Sequence, residues 1–354
     1  MTAWLITGGA GFIGANFVRV ATAGAADTIV VLDALTYAGN FANIADVVDD
    51  RRVRFHKGDI CDAALVDELF ATYGFDCVVH FAAESHVDRS ILGAQPFLRT
   101  NIEGTYVLIE AARLAWQGKA WQGNAKRRFV HVSTDEVFGD LDPHDPPFTE
   151  ATPYRPSSPY AASKAAADHV VRSWQRTYGL PAIITNSGNN YGPWQFPEKL
   201  IPLMILNAIE RRELPVYGDG RQMRDWLHVS DHCRAIMAVI ENGEIGGTYL
   251  IGADNPRANI DVVQQICRAV DAALGRAHGT SDKLIRHVKD RPGHDRRYAL
   301  DAATLRTKLG WRPREAFETA LPALVRWYID HKDWTDAVRT GAYRQYYERQ
   351  YAGR

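Results

Sequence analysis

The amino-terminal half of the chain alternates short apolar runs with longer amphipathic stretches. The apolar runs are rich in β-branched and aromatic residues, which predicts buried strands; they span residues 3–7, 28–32, 53–56, 77–81 and 129–132. The stretches between them carry helical periodicity. Strands that alternate with helices predict an α/β fold, a doubly wound parallel sheet with helices on both faces.

The second half follows a different pattern. A strand at 182–185 precedes a segment rich in Pro and Gly, and the chain then returns to a predicted helix at 230–241 and a strand at 248–251. A helix opens at Asn259, and the periodic run through Leu321, Leu324 and Tyr328 predicts another that faces the core. We expect 1–188 plus 229–253 to form the sheet domain, and 189–228 plus 254–354 to form a smaller, mixed α/β C-terminal domain that binds substrate. The polar stretch at 116–124 predicts a surface excursion, and the tail at 343–351 is assigned no chemistry.

A glycine-rich run directly follows the first predicted strand. Gly8, Gly11 and Gly14 have the spacing that permits a tight turn, close approach to a pyrophosphate and close packing of the next helix. Asp33 follows the second strand and lies roughly 20 residues after Gly14, where the same fingerprint places an acid on a ribose hydroxyl. A carboxylate there repels a 2′-phosphate, and Ala34 brings no positive charge. The pattern predicts a Rossmann-type domain that binds NAD rather than NADP.

Two more strands end at the same edge of the predicted sheet. Asp59 follows the third strand and is expected at the adenine, and Ala82 and Ala83 follow the fourth and are small enough to lie along the cofactor. His80 stands at the end of an apolar strand. We interpret it as a structural histidine, which is the commoner case.

The strand at 129–132 stops where hydroxyls and carboxylates begin. In an open parallel sheet this end of the strand faces the ligand crevice. The adjacent carboxylates Asp135 and Glu136 can do different work if their surroundings separate their pKa values, one held protonated as an acid and the other ionised as a base. The alternative is a solvated turn or a helix start.

A predicted helix start with Pro in its first turn places Tyr160 and Lys164 on one helical face. An ammonium close to a phenol favours the phenolate, so Tyr160 is a candidate base toward an alcohol near neutral pH. Such pairs also occur by chance on helix surfaces. The predicted hydride acceptor gives this one its weight.

Composition narrows the class of protein. The chain has 354 residues, 46% of them hydrophobic, enough for a large core. A formal net charge of −1 at pH 7 gives no electrostatic argument for nucleic acid or an anionic membrane. No apolar run approaches membrane-spanning length, no signal peptide is evident, and the cysteines lack metal-ligand spacing. We expect a soluble, cytoplasmic protein with reduced thiols and no metal.

The run at 7–14, taken with Tyr160 and Lys164, resembles the extended short-chain dehydrogenase/reductases. Within that group, the stretches at 82–90, 133–139, 189–193 and 196–202 are similar to the dTDP-glucose 4,6-dehydratase family, and the likeness extends from the first residue to about Trp311. Sugar epimerases of the group lack the two carboxylates. The resemblance implies a hydro-lyase with bound NAD that converts dTDP-glucose to dTDP-4-keto-6-deoxyglucose, a step toward deoxysugars such as dTDP-rhamnose.

The resemblance also implies a role for each site residue. Tyr160 takes the proton of the sugar 4-hydroxyl, Thr134 hydrogen-bonds the same oxygen, and Lys164 holds the cofactor ribose and keeps the phenol acidic. Glu136 removes the C5 proton, and Asp135, kept neutral, protonates the departing 6-hydroxyl. The implied cofactor contacts are Gly8, Gly11, Phe12, Ile13, Gly14, Asp33, Asp59, Ile60, Ala82, Ala83, Thr100, Ser133, Tyr160 and Lys164. The implied substrate contacts are Ser85, Thr134, Asn189, Lys199, Leu200, Pro215, Tyr217, Arg224, Asn259, Arg291 and His294.

The chain departs from the family pattern in three places. Ala34 replaces a common lysine, Gly188 replaces a common serine, and the stretch near Trp116 is longer than usual. Related enzymes pair through two helices of the first domain, which implies a homodimer. The alternatives are a nucleotide-sugar 4-epimerase, a 4,6-dehydratase for a UDP-, CDP- or GDP-linked sugar, and a catalytically silent NAD-binding protein. The sequence leaves the preferred base open.

Overall fold

The computed structural model describes residues 2–24, 26–117 and 127–339. The strands are β1 (Ala3–Thr7), β2 (Thr28–Asp33), β3 (Val53–Lys57), β4 (Cys77–His80), β5 (Arg128–Thr134), β6 (Ala182–Ser187), β7 (Asn189–Tyr191), β8 (Leu214–Tyr217), β9 (Met223–His228), β10 (Thr248–Ile251), β11 (Pro256–Ala258) and β12 (Ile285–Val288). The helices are α1 (Phe12–Thr22), α2 (Ala63–Tyr73), α3 (Val87–Leu92), α4 (Gln95–Leu98), α5 (Thr105–Trp116), α6 (Pro159–Tyr178), α7 (Leu200–Ile209), α8 (Val229–Asn242), α9 (Asn259–Ala273), α10 (Ala303–Leu309), α11 (Phe317–Asp330) and α12 (Lys332–Val338).

The large sheet is parallel and has the strand order β10-β6-β5-β4-β1-β2-β3. This architecture confirms the predicted Rossmann-type α/β fold. The later strands form two small sheets, a mixed one in the order β11-β9-β7 and a parallel pair of β12 with β8. The strands therefore separate into large and small sheets close to residue 188 and again after β10, while the proposed domain boundaries stay a prediction.

Alternating side chains of the large sheet enter two different cores. Ile6 of β1 packs with residues of α1 and α8 on one face, whereas Leu5 packs with residues of α2 and α5 on the other. A third core lies among α7, α9 and α11 and contains Leu321, Leu324 and Tyr328, which confirms the predicted core-facing helix. Burial on both faces explains why the strands read as continuous apolar runs.

The central strand β5 is longer than its apolar segment. It continues through Ser133 and Thr134, which pair in register with Asn186 and Ser187 of β6. The prediction that the strand ends at residue 132 is wrong because these polar side chains find buried partners: the Ser133 hydroxyl donates to Asp168 at 3.0 Å. The consequence is that Asp135 follows the strand without a break.

His80 has the structural role that its position suggested. It is buried, and its two ring nitrogens lie 2.7 Å from the hydroxyl of Thr7 and 3.0 Å from that of Thr105. The predicted excursion begins at Trp116, whose indole donates to the carbonyl of Phe75 at 2.7 Å. The rest of the excursion, at 118–124, and the tail at 343–351 lie outside the described residues.

Two further expectations concern reduced cysteines and the lack of a membrane-spanning segment. All four cysteines, at 61, 77, 233 and 267, are free thiols, as the sequence predicted. Across the described ranges, no helix is both long enough and apolar enough to cross a membrane.

Candidate active site

A cavity of about 320 Å³ lies at the carboxyl ends of the parallel strands. Its wall is built from the glycine turn after β1, from the ends of β2, β4 and β5, and from the start of α6. Every residue that the resemblance assigned to the cofactor or to catalysis lines this cavity: Gly8, Gly11, Phe12, Ile13, Gly14, Asp33, Asp59, Ile60, Ala82, Ala83, Thr100, Ser133, Thr134, Asp135, Glu136, Tyr160 and Lys164.

The glycine turn is required by the backbone that surrounds it. A Cβ on Gly14 would lie 2.2 Å from the carbonyl oxygen of Gly8, and a Cβ on Gly8, which has a φ of +70°, would lie 2.6 Å from the nitrogen of Ala82. Gly11 lines the cavity immediately before α1, so no side chain separates its backbone from a ligand. A bare helix start of this kind fits a pyrophosphate.

The carboxylate of Asp33 is fixed at the end of β2. Its two oxygens accept hydrogen bonds from the backbone N–H groups of Ala10, at 2.9 Å, and Leu35, at 2.8 Å. The neighbouring cavity residue is Ala34, so this part of the wall offers a 2′-phosphate a carboxylate and no cation. The residues present fit a dinucleotide with a free ribose 2′-hydroxyl.

The two adjacent carboxylates sit in a short 3-10 turn, Asp135–Phe138, that follows β5. Asp135 is 2% exposed, and its Oδ2 atom has no hydrogen-bond partner among the described residues. Burial and the nearby Glu136 raise the pKa of Asp135 well above its ordinary value. A carboxyl in this state is held in its neutral, proton-donating form.

Glu136 experiences a different field. Burial raises its pKa as well, but the positive charges of Arg291, Lys199 and Arg224 act in the opposite direction. At Asp135, Arg224 is the cation among the main influences that oppose burial. The surroundings therefore raise the pKa of Asp135 well above its ordinary value, whereas three cations oppose the rise at Glu136. Unequal surroundings of this kind suit an acid and a base in one site.

Tyr160 and Lys164 lie in the first turns of α6. The helix begins at Pro159, and the hydroxyl of Ser158 caps it by accepting from the N–H of Ala161 at 3.1 Å. The Lys164 ammonium donates to the carbonyl of Val132 at 2.8 Å. Burial lowers the pKa of Lys164 to about 8, and the carboxylate of Asp168 opposes that change.

The pKa of Tyr160 is raised, which contradicts the expectation that Lys164 keeps this phenol acidic. Burial is the largest cause, and the charges of Glu136 and Asp135 add to it, whereas the hydrogen bond with Thr134 lowers the pKa. In the protein chain alone the prediction is wrong, because burial and the two carboxylates raise the pKa more than the hydrogen bond with Thr134 lowers it. Protonation of Asp135 would remove one of the opposing charges.

The expected substrate contacts separate into two groups. Ser85, Thr134, Asn189 and Lys199 line the cavity, and the Lys199 ammonium donates to the carbonyl of Ser85 at 2.8 Å. The cavity wall, as the described residues form it, does not include the others: Leu200, Pro215, Tyr217, Arg224, Asn259, Arg291 and His294. Several of these form a cluster of their own, since His294 stands 6.0 Å from the ring of Tyr217, measured between centroids.

Arg224 is less accessible than its predicted role requires. It is 5% exposed, and its guanidinium donates to the carbonyls of Met223 and Asp295, each at 2.8 Å. Its charge nevertheless opposes the rise in the pKa values of Asp135 and Glu136. The structure therefore supports an electrostatic effect of Arg224 on Asp135 and Glu136, and its burial argues against direct contact with a substrate.

Two residues that the sequence analysis missed do not line the cavity but hydrogen-bond to the elements that do. Asn101 ties a cavity loop to α6, since its side chain accepts from the N–H of Glu84 at 2.8 Å and donates to the hydroxyl of Ser163 at 2.8 Å. Asp168 is fully buried and accepts from Ser133 and, at 2.7 Å, from the hydroxyl of Tyr154. Its position four residues after Lys164 was the available signal, because it puts a charge on the inward face of the helix.

Known proteins share this sequence and architecture over nearly the whole chain. The family model described as GDP-mannose 4,6 dehydratase matches residues 5–323. The chain is 52% identical to dTDP-glucose 4,6-dehydratase 1 of Escherichia coli K12, over 99% of each protein. The crystal structure of a dTDP-glucose 4,6-dehydratase from Streptomyces venezuelae with NAD bound has a TM-score of 0.87 and 46% identity, and covers 95% of this chain and 100% of that one.

Sugar epimerases share the fold at a greater distance. A UDP-glucose 4-epimerase of Thermotoga maritima has a TM-score of 0.82 but only 25% identity, over 93% of this chain and 99% of that chain. Identity of about half the residues along the full length places the sequence with the dehydratases instead. The chain belongs to the extended short-chain dehydrogenase/reductases and, among them, to the dTDP-glucose 4,6-dehydratase family.

Proposed function

We propose that this protein is a dTDP-glucose 4,6-dehydratase, a hydro-lyase with bound NAD that converts dTDP-glucose to dTDP-4-keto-6-deoxyglucose. The observation that carries the proposal is the shared cavity, in which Tyr160 stands with Asp135 and Glu136 beside a glycine turn suited to a dinucleotide. A simple dehydrogenase has no need of an acid and a base for elimination. A simple dehydratase has no need of a dinucleotide site.

NAD would be held by the glycine turn at its pyrophosphate, by Asp33 at a ribose hydroxyl and by Lys164 at the other ribose. When bound, it supplies the capacity to accept a hydride from C4 of the sugar and to return one to C6. The small side chains of Ala82 and Ala83 leave room for it along the wall. Asp59 and Ile60 close the adenine end.

The first proton transfer is assigned to Tyr160. Its phenol oxygen takes the proton of the 4-hydroxyl, and Thr134 hydrogen-bonds the same sugar oxygen. Because the negative charges of Glu136 and Asp135 raise the pKa of Tyr160, the proton-accepting form is favoured when Asp135 carries its proton. The protonation state that suits Asp135 for elimination therefore also assists the oxidation step.

Elimination is assigned to the two carboxyl groups. The 4-ketone makes the hydrogen on C5 acidic, and Glu136 removes it as a proton. Asp135 gives its proton to the departing 6-hydroxyl, so that water leaves across C5 and C6. The proton on Glu136 exchanges with solvent before Glu136 returns a proton to C5, and the 4-ketone is retained in the product, a precursor of deoxysugars such as dTDP-rhamnose.

The nucleotide part of the substrate is assigned to the smaller lobe, at 189–228 and 254–354. Arg291 and His294 would contact the diphosphate or ribose, and Pro215 and Tyr217 would border the base. Asn259 supports this assignment, since its Oδ1 atom is buried at the start of α9 with no partner in the described part of the chain. An arginine suits a diphosphate because its planar fork can donate two parallel hydrogen bonds.

The proposal is tested by incubating the purified protein with dTDP-, UDP-, CDP- and GDP-linked sugars and weighing the products. Loss of one water from dTDP-glucose, faster than from the other nucleotides, is the expected result. A product with the mass of the substrate and an inverted C4 would favour the 4-epimerase. A dehydrated product from another nucleotide alone would retain the chemistry and change the substrate.

The protein is also proposed to form a homodimer and to work in the cytoplasm. The outer surfaces of α5 and α6, which pack together, expose Tyr106, Leu114 and Tyr178, each about half exposed. Covering such a surface with a second copy would remove apolar area from water. Four free cysteines are compatible with a reducing compartment.

A further inference from the structure

The carboxylate of Asp88 joins three separate parts of the chain. Asp88 lies in α3 and is 6% exposed. One of its oxygens accepts from Nη1 of Arg291 at 2.7 Å, and the other accepts from the hydroxyl of Tyr217 at 2.9 Å. The two donors come from the segment after β12 and from β8, so they are brought together with α3 only by the fold.

The guanidinium of Arg291 is anchored through one nitrogen and keeps another donor without a partner among the described residues. Its Nη1 atom donates to Asp88, whereas its Nε atom is buried and has no hydrogen-bond partner among the described residues. An arginine offers five N–H donors in a fixed plane, so an anchor at one edge determines where the other donors lie. A buried donor without a partner is costly unless a ligand satisfies it.

The surroundings of Arg291 place it close to the chemistry as well. Its charge is the largest influence that opposes the rise in the pKa of Glu136. Burial lowers the pKa of Arg291, but the carboxylates of Asp88 and Glu136 act against burial and the pKa is raised overall. The ring of Tyr217, which shares the Asp88 carboxylate, packs near His294. A single carboxylate thus orients two side chains that the proposed function assigns to the nucleotide.

We infer that Asp88 is a positioning residue for substrate binding: it fixes Arg291 in the orientation that receives the diphosphate, and it fixes Tyr217 beside the base. This inference rests on the proposed function, because it assumes a nucleotide diphosphate as ligand. Asp88 itself does not touch the substrate. It acts through the orientation of its two partners.

Asparagine at this position separates the two tasks. The amide oxygen of Asp88→Asn can still accept from the Tyr217 hydroxyl, but the amide NH₂ cannot accept from Arg291. The variant should therefore bind thymidine as the wild type does and bind dTDP about 10-fold or more weakly. Calorimetry with dTDP and with thymidine measures both constants. Steady-state assays should show a raised KM for dTDP-glucose with kcat within about threefold, because no reacting atom is touched.

A matched control is available in the same region. Asp219 pairs with Arg296 at 2.9 Å across an exposed surface, so Asp219→Asn removes an acid–arginine contact between two side chains to which the proposed function assigns no role. This variant should bind dTDP with unchanged affinity, since exposed pairs contribute little. A general loss of stability or of bound NAD in Asp88→Asn, without selective loss of dTDP over thymidine, would mean a structural role and overturn the inference.

A second variant keeps the test decisive if Asp88→Asn fails to fold. Arg291→Lys retains the charge opposite Asp88 but removes the planar fork, and should show the same selective loss of dTDP over thymidine. Where both fold, the double variant should be only marginally weaker than Arg291→Lys alone, because the two residues act as one unit. The inference about Asp88, but not the proposed function, is overturned if Arg291→Lys binds dTDP as the wild type does, or if the losses of dTDP binding in the two single variants add up in the double variant. Wild-type protein that binds neither dTDP nor dTDP-glucose overturns the proposed function and the inference with it.

Discussion

At the scale of single residues, Asp135 and Glu136 are neighbours in sequence but not in electrostatic surroundings. Asp135 is buried in the cavity wall and lacks a partner for one oxygen among the described residues, and its pKa is raised well above its ordinary value. Glu136 is partly exposed to the cavity and has three cations that oppose the effect of burial. The division of labour follows from position, since the two side-chain types have similar pKa values in water.

Glu136→Gln should separate oxidation from elimination. Glutamine has nearly the same shape but cannot take the C5 proton, so turnover should fall by about 10²–10⁴-fold. The variant should still reduce bound NAD when dTDP-glucose is added, because Tyr160 and Lys164 are intact. Absorbance of the reduced cofactor and exchange of the C5 hydrogen with solvent deuterium report the two steps. Rapid C5 exchange in the variant would remove Glu136 from its role as base.

The pH dependence of turnover should report Lys164. Its pKa is lowered to about 8, so its positive charge is present below that pH and is lost as the pH rises through it. We expect kcat to decline above about pH 8, because the neutral amine has one hydrogen-bond donor and one charge fewer with which to hold the cofactor ribose, the role proposed for Lys164. Arginine stays charged throughout this range, so Lys164→Arg should be slower but should lack this decline. An unchanged alkaline limb in the arginine variant would assign it to another group.

Individual residues differ in how far sequence alone identifies them. Asp33 and the glycines follow from a fixed spacing around one strand and one helix, which local sequence encodes. The Asp88–Arg291 pair joins positions 203 residues apart, so no local pattern marks it. The pKa of Tyr160 was misjudged for the same reason: the sequence shows the lysine one turn away but not the carboxylates that the fold places nearby.

At the scale of elements, the turn between β1 and α1 is the part of the site that tolerates a side chain least. Gly14→Ala would place a methyl group 2.2 Å from the carbonyl oxygen of Gly8, and backbone cannot move aside as a flexible side chain can. We expect at least a tenfold loss of NAD retained through purification, measured as dinucleotide released per chain on denaturation. Gly93→Ala is the control, because its Cβ would meet nothing within 4 Å. Full NAD content in Gly14→Ala would contradict the assignment of this turn to the pyrophosphate.

Element types were predictable where the apolar pattern was strong, and their ends were set by tertiary partners. The strand β10 and the helix α9 begin where the sequence indicates. The strand β5 runs on through two hydroxyl residues because β6 continues beside it. The contact of α12 with the glycine turn was not predictable: the indole of Trp334 donates to Asn43, and Asn43 donates to the carbonyl of Ala10.

At the scale of the whole molecule, the sequence predicts the order of strands and helices in the large sheet better than it predicts the two smaller sheets. Alternation of strand and helix predicts the parallel sheet, and the carboxyl ends of its strands then define where ligands bind. The smaller sheets are built from short strands of three to six residues, which leave little periodicity to detect. This is why the catalytic wall of the site was anticipated better than the side assigned to the nucleotide.

The homodimer is also a property of the whole molecule. Leu114 of α5 is 53% exposed on the surface proposed to pair, so Leu114→Glu should shift the sedimentation coefficient toward that of a monomer. Leu92 of α3 is 64% exposed elsewhere, and Leu92→Glu should leave the assembly unchanged. A dimer that survives the change at Leu114, or a wild type that sediments as a monomer, would contradict this part of the proposal.

The central claim is that sugar oxidation and loss of water occur in one cavity without release of intermediates. Its most direct test is the fate of deuterium placed at C4 of dTDP-glucose, followed by mass spectrometry and NMR of the product. The account predicts a dehydrated product that carries the label at C6 of the same sugar molecule, with one solvent hydrogen at C5. Label that remains at C4, or that appears in sugar molecules that did not begin with it, would contradict the account.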